Sequence, residues 1–192
     1  LPIYISWWSA MEDSSRDAKR FQYERFILSQ LLVMALKGVP AFYLPALLAS
    51  ENDIKSFSMT GQRRDLNREK FKSENLLAVL NNPESNANKN LKYLRNAMDI
   101  RSELKQFHPC AEMKCLSKGR SDIVVIKRSK GPESVFAIHN MTENKINYQL
   151  NDNDLPKIID NDFNTYDFLT SIKYNCKNIS LDPFQVIWLS AL

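Results

Sequence analysis

The sequence predicts an α/β segment followed by a small antiparallel β domain, a fold class of α/β plus all-β. Three observations carry this reading. A long apolar run, Phe26 to Leu36, closes near Gly38. A second, shorter apolar run follows at once, Val39 to Leu44. Beyond Pro109 the apolar residues change from helical spacing to short runs broken by Gly, Asn, Asp and Pro. Helix, glycine turn and apolar strand together make one step of a parallel sheet. The expected domain boundary lies near Pro109, dividing residues 1–108 from residues 109–192.

Each element has its own justification. Ser14-Ser15-Arg16-Asp17 carries the Ser-x-x-acid pattern of a helix start, and the chain reads as helical from there to about Lys37. Phe21, Arg25, Leu28, Leu32 and Ala35 share one face, while Ile27, Leu31, Val33 and Met34 fill others. A helix apolar nearly all round is covered on more than one side. Val39 to Leu44 then reads as a strand buried on both faces. Pro40 donates nothing to a ladder, but it stands near the strand's start.

Pro45 to Glu84 is a long connection with short helical pieces, at Glu51 to Phe57 and Glu69 to Leu80. Long loops inside domains are usually functional. Asn81 to Asn90 reads as a surface loop. Asn88 to Phe107 is a second helix, with Leu91, Leu94, Met98, Arg101 and Leu104 spaced at three and four. In the second half, Ile123–Ile126, Val135–Ile138, Ile146–Leu150 and Gln185–Leu189 read as strands. Lys130-Gly131-Pro132 and Thr142-Glu143-Asn144 read as hairpin turns. Lys127-Arg128-Ser129-Lys130 reads as a solvated hairpin tip.

Composition narrows the function classes. The chain has 192 residues, 44% hydrophobic and 25% charged, as in ordinary globular proteins. The net charge of +4 lies entirely in residues 1–106, much of it between Arg63 and Lys72. That bias is too mild for a nucleic-acid binder and lacks interleaved aromatics. It suits a local site for a small anion, or an ordinary solvated face. No apolar stretch is long enough to span a bilayer, and no signal-peptide pattern opens the chain. The expectation is a cytoplasmic protein without membrane or nucleic-acid partners. Because Leu1 to Trp8 begins inside an apolar run, the chain is expected to be the C-terminal piece of a longer protein.

Three cysteines, Cys110, Cys115 and Cys176, are too few for a disulfide framework and read as small buried hydrophobes. His108 with Cys110 and Cys115 lacks the second paired motif of a metal site, so no metal and no cofactor is expected. His139 lies on an alternating strand and reads as a packed or surface histidine. Trp7 and Trp8 suit core packing or a stacking platform for a sugar.

The most specific stretch runs from Gly38 to Lys70. It contains Gly38-Val39-Pro40, then Leu47-Leu48-Ala49-Ser50, then Asn52-Asp53, then Thr60-Gly61-Gln62-Arg63-Arg64-Asp65-Leu66-Asn67-Arg68-Glu69. This order resembles the last barrel strand and following loop of the sucrose phosphorylase branch of the α-amylase superfamily. Ile5–Ala10, Arg25–Gln30, Ala137–Thr142 and Leu181–Leu189 are similar, in the same order, to further segments of that branch.

The resemblance implies the C-terminal part of a (β/α)8 TIM barrel followed by an antiparallel β domain. It implies a retaining α-glucoside phosphorylase, which transfers glucose through a covalent glucosyl-enzyme to phosphate and yields α-glucose 1-phosphate. Its partners would be a small-molecule glucoside and inorganic phosphate, and a homodimer is compatible with it. Sucrose, sucrose 6′-phosphate and glucosylglycerate are the substrates of the branch. The family's catalytic carboxylates fall on earlier strands, so no catalytic residue is assigned to this chain.

Arg64 matches the family's arginine in the glucose subsite, where a planar fork of donors grips a hydroxyl and a carboxylate. Arg63 and Arg68 flank it in structural roles. Asn52 and Asp53 sit just beyond the strand, where such folds bind ligands. An Asx-type capping role for both, and a surface role for Arg64, remain open from sequence. So do two other functions: a hydrolase or transglucosidase of the same superfamily, and a non-catalytic carbohydrate-binding or scaffolding module.

Overall fold

The computed structural model describes residues 4–12, 17, 19–155 and 164–191. The helices are α1 (Gln22–Ala35), α2 (Leu44–Leu47), α3 (Ile54–Thr60), α4 (Ser73–Asn81) and α5 (Asn86–Glu103). The strands are β1 (Glu112–Cys115), β2 (Ile123–Lys130), β3 (Glu133–Asn140), β4 (Ile146–Tyr148), β5 (Asn164–Tyr166), β6 (Lys173–Asn175), β7 (Ile179–Leu181) and β8 (Val186–Ala191). Pro109 marks the change from helix to strand. The contacts group the chain differently, into residues 1–27 with 41–95 and residues 28–40 with 96–192.

The sequence-predicted helix start at Ser14–Asp17 lies, Asp17 apart, outside the described residues. As described, α1 begins at Gln22, after Phe21 at φ 57°. Phe26, Ile27 and Leu28 are all buried, as are Leu31, Met34 and Ala35. Successive helical residues point about 100° apart, so α1 is covered on more than one side as its sequence predicts.

Val39 to Leu44 does not form the expected strand. Among the described residues Val39 to Tyr43 lie in no helix or strand and Leu44 opens α2; the run pairs with no strand and leaves Val39 81% exposed and Tyr43 and Leu44 more than half exposed. A parallel strand exists only as part of a ladder whose neighbours supply both hydrogen bonds and apolar cover. The described residues supply none for this run, and they show mixed helix and antiparallel sheet with no closed barrel.

Asn81 to Asn90 is also more ordered than expected. α5 starts at Asn86, and Asn88 and Asn90 are buried rather than looped out. Along α5 the stripe predicted from spacing holds, with Leu94 and Ala97 buried and Leu91, Met98 and Arg101 half-buried. The helix ends at Glu103, and a 3-10 turn, Lys105–Phe107, completes the segment.

The main sheet has the order β1-β2-β3-β8, antiparallel throughout. One face sets Ile123, Val125, Phe136, Ile138, Ile187 and Leu189 against Leu150, Cys176, Ile179 and Leu181 in one core. Each such aliphatic residue fully buried contributes about 1.5–3 kcal/mol. The two-residue turn Gly131-Pro132 joins β2 to β3, with Gly131 at φ 62° taking the positive-φ position such hairpins need. Thr142–Asn144 is not a hairpin turn. β4 pairs with β7, in a separate two-stranded sheet, and the Asn140 side chain organises the crossing by donating to the Asn144 and Asp182 carbonyls.

The sheet's other face corrects the reading of the charged run at 127–130. Arg128 is fully buried, not a solvated tip. Register explains it: Ile126, Arg128 and Lys130 alternate with Val125 and Lys127, so Arg128 faces inward with Val135 and Ala137. Its guanidinium donates to the carbonyls of Ala35 and Leu36 at the end of α1, at 3.0 and 2.8 Å, and to those of His108 and Glu112 at 2.8 and 3.3 Å. Arg101 does similar work, donating to the carbonyls of Met34, Gly38 and Phe107. The last carbonyls of a helix have no internal partner, and two cations at that end also oppose its dipole. Burial pushes both guanidinium groups below their usual range, and Arg128 is lowered further by Arg101. Both still remain charged. Phe107, buried against Trp188 at 4.7 Å between ring centroids, has both guanidinium groups 5.7 Å from its own.

Two cysteines also depart from expectation. Cys110, in the turn before β1, and Cys115, on the outer strand β1 whose residues are all exposed, face solvent, and only Cys176 is buried. His139 is fully buried on β3, and burial pushes its pKa down to about 4 from an ordinary 6.5. The fold thus favours neutral imidazole. The stabilisation is complete above the unfolded value and is lost as pH falls through 6.5 toward 4. Between pH 7 and pH 5 it should cost about 2 kcal/mol. Asp53, whose carboxyl is lowered, adds a loss only in more acid solution, and Asp167, whose carboxyl is raised by burial, acts in the opposite sense. Urea denaturation at the two pH values should show that loss in the parent and little of it in His139→Gln; equal slopes would contradict the assignment.

Candidate functional site

The loop from Pro45 to Phe71 is held from below by small and aromatic residues. Ala46 and Ala49 pack on Trp8 and Phe26, and Trp8 meets the Phe26 ring edge-on at 5.2 Å. Trp8 is therefore core, whereas its neighbour Trp7 is 45% exposed. Pro45 suits the first turn of α2, where its missing N–H is not needed. The fully buried Asn90 of α5 donates Nδ2 to the carbonyls of Ala46 and Leu47 at 3.1 and 2.8 Å, closing the C-terminal end of that turn.

Asn52 clasps the segment around Ser6 to Ser9. Its Oδ1 accepts from the Ser6 amide at 2.8 Å, and its own amide donates to Ser9 Oγ at 3.1 Å. Asp53 caps α3: Oδ1 accepts from the Ser56 amide at 2.8 Å and Oδ2 from the Ser56 hydroxyl at 2.5 Å. Those two bonds hold its carboxyl below the usual range. The Asx-type capping seen as one of two readings from sequence is thus present for Asp53. The Asp53 amide also donates to the Leu66 carbonyl at 2.7 Å, which ties the loop's two ends together.

Between those ends the chain turns back tightly. Gly61, at φ 65°, ends α3 by donating to the Phe57 carbonyl at 2.8 Å. Thr60 Oγ1 donates to Asp65 Oδ2 at 2.8 Å and accepts from the Gln62 amide at 3.2 Å. The result is a 3-10 turn, Arg63–Asp65, whose acid is turned inward and whose two arginines are exposed. None of the guanidinium groups of Arg63, Arg64 and Arg68 makes a hydrogen bond or ion pair with a described residue. An adjoining cleft of roughly 310 Å³ is lined by Ser50, Glu51, Glu69 and Phe71 from the loop and by Asn75 of α4.

The structure therefore brings Asn52, Asp53 and the Arg63–Asp65 turn into one hydrogen-bonded loop, and it leaves the Arg64 guanidinium uncommitted. Asn90, Ser6, Ser9 and Ser56 are the residues that sequence reasoning missed. Only Ser56, three residues after Asp53, had a local signal, as the partner of an N-cap. Among the described residues there is no group of three or more His, Cys, Asp or Glu that would hold a metal ion.

The glucosylglycerate phosphorylase of Allomeiothermus silvanus is 30% identical over 130 residues, covering 68% of this chain and 23% of its own length. That of Spirochaeta thermophila is 28% identical over 71% of this chain, and that of Escherichia coli 24% identical over 86% of it. The chain is a relative of α-amylase-superfamily phosphorylases. It spans about a quarter of the length of these phosphorylases, between 21% and 28%.

Solved structures agree on the fold. AmyP bound to maltotriose superposes over 88% of this chain and 35% of its own, with a TM-score of 0.69 at 14% identity. Trehalose-6-phosphate hydrolase of Bacillus licheniformis covers 96% of this chain and 41% of its own, with a TM-score of 0.64 at 16% identity. At such identities the likeness is one of fold. No protein-family model matches the chain. No helix among the described residues is long and apolar enough to cross a membrane.

Proposed function

We propose that this chain is the C-terminal part of a retaining α-glucoside phosphorylase, which converts a glucoside such as glucosylglycerate or sucrose, with phosphate, to α-glucose 1-phosphate. The observation that carries the reading is the sequence relationship to three glucosylglycerate phosphorylases. The uncommitted Arg64 in a loop with the branch's motif supports it. A double displacement accounts for the chemistry. A carboxylate supplied by the rest of the barrel takes the glucosyl C1 as the glycosidic oxygen leaves with a proton. A phosphate oxygen then displaces that carboxylate and restores the α configuration.

Within this reading Arg64 gives its fork of donors to a glucose hydroxyl and to a neighbouring carboxylate. Asn52 offers its Nδ2 donors, which make no hydrogen bond to the described residues, to the same sugar. Asp53 keeps lone pairs beyond those given to Ser56 and acts chiefly by fixing the loop. Val39 to Leu44 serves as a barrel strand whose neighbours belong to preceding polypeptide, which accounts for its apolar exposed surface. The β strands after Pro109 make the C-terminal domain, and the enzyme works in the cytoplasm. Hydrolase chemistry on the same fold is the runner-up.

The experiment is to assay the 192-residue chain alone for glucose 1-phosphate release from sucrose and from glucosylglycerate in phosphate buffer. No release above a no-enzyme control is expected. Release by the chain alone would overturn the reading, because its chemistry would then not depend on carboxylates from other strands.

A further inference from the structure

A cleft of roughly 520 Å³ lies at the end of α5, lined by Arg101, Ser102, Glu103, Lys105, His108 and Lys130 among others. Arg101, Lys105 and Lys130 thus line the cleft with one carboxylate, Glu103. Neither the Lys105 nor the Lys130 ammonium makes an ion pair or hydrogen bond with a described residue, so no described group pairs off their charges. Arg101 is fixed by its bonds from Nε and Nη2 to three carbonyls, and Nη1 has no partner among the described residues. His108 Nδ1 accepts from the Cys110 amide at 3.1 Å, which places the imidazole proton on Nε2 as a further donor. Ser102 Oγ donates its proton to the Asp99 carbonyl at 2.7 Å and presents lone pairs only.

We propose that this cleft binds a phosphate group, either inorganic phosphate or the phosphate of a small sugar ester. A dianion balances the charge of the three cations and meets donors of fixed direction on Arg101 and mobile ones on the lysines. The volume lies within the range of small-ligand pockets, so a monosaccharide attached to the phosphate fits. Glu103 sets a limit on affinity and keeps the cleft from being a general sink for anions. Only the choice of a sugar ester rests on the phosphorylase reading; binding of inorganic phosphate does not.

Labelled 192-residue chain is titrated with inorganic phosphate and, separately, with α-glucose 1-phosphate, in about 150 mM salt where the Debye length is about 8 Å. The amide resonances of Ser102, Lys105, His108 and Lys130 are followed. Saturable shifts are expected for at least one probe, with a Kd of about 1 mM or tighter. Equal affinity assigns the site to phosphate alone, and tighter binding of the ester assigns it to the sugar phosphate. Lys105→Gln and Lys130→Gln, both at exposed positions, should each weaken binding about threefold and together about tenfold. Lys173→Gln, outside the cleft wall, should leave it unchanged. Shifts that stay linear to about 20 mM in both probes, or an affinity indifferent to the double substitution, would overturn the proposal.

Discussion

Arg64→Lys, made in the longer enzyme proposed to contain this chain, should lower kcat/KM about ten- to hundred-fold for each bond lost. Lysine keeps the charge but loses the planar fork. Each charge-assisted hydrogen bond that disappears is worth on the order of 1.5–3 kcal/mol, and about 1.36 kcal/mol is tenfold in rate. Stability should not change, because the Arg64 guanidinium is exposed and makes no hydrogen bond or ion pair with the described residues. That separates a role toward substrate from a role in the fold. Lys72→Arg, at an exposed position just before α4 with no side-chain cap bond, is the matched control and should leave initial rates unchanged. A variant at Arg64 within twofold of the parent would make it an ordinary surface arginine.

Arg128→Met should destabilise the chain by about 3 kcal/mol or more. The substitution fills similar space but takes the guanidinium donor from the carbonyls of Ala35, Leu36, Glu112 and His108, of which His108 keeps the Ala111 amide at 2.9 Å. Each buried polar group so stranded costs about 1–3 kcal/mol, and exposure by local rearrangement recovers part of the sum. Arg128→Lys should recover less than half, since one ammonium reaches fewer of the four carbonyls. Lys118→Met, at an exposed position, should stay within about 0.5 kcal/mol of the parent. Urea denaturation checks all three, and a loss below about 1 kcal/mol for Arg128→Met would contradict the capping role.

What was legible in the sequence followed from burial. β2, β3 and β8 are covered on both faces, so they read as continuous apolar runs, and α1 and α5 showed helical spacing. β1 could not be read that way, because Glu112-Met113-Lys114-Cys115 lies at a sheet edge with every side chain exposed and no alternation to detect. β5 and β6 span three residues each, too few for any period to register. Val39 to Leu44 taught the reverse lesson. Its apolar character recorded a demand for cover, but not whether this chain's described residues supply it.

The candidate site was legible only where a local motif encoded it. Asp53 with Ser56 is a cap signal, and Arg63-Arg64-Asp65 after Gly61 is a turn whose charges have to face out or be paired. Asn52 engages Ser6 across 46 residues and Asn90 reaches Ala46 across 44, and no local pattern announces such contacts. Arg128 did carry a signal that a charge run obscured. Counting by two along β2 from Val124 and Ile126 places it on a face that Val135 and Ala137 also occupy.

The most direct measurement is product identity in the longer enzyme proposed to contain this chain. Glucosylglycerate or sucrose is incubated with the enzyme in phosphate, and the reaction is followed by phosphorus and proton magnetic resonance. The expected result is α-glucose 1-phosphate, formed at a rate that rises with phosphate and saturates, with the anomeric configuration retained. Free glucose formed at the same rate with and without phosphate would contradict the phosphorylase assignment and make the protein a hydrolase of the same fold.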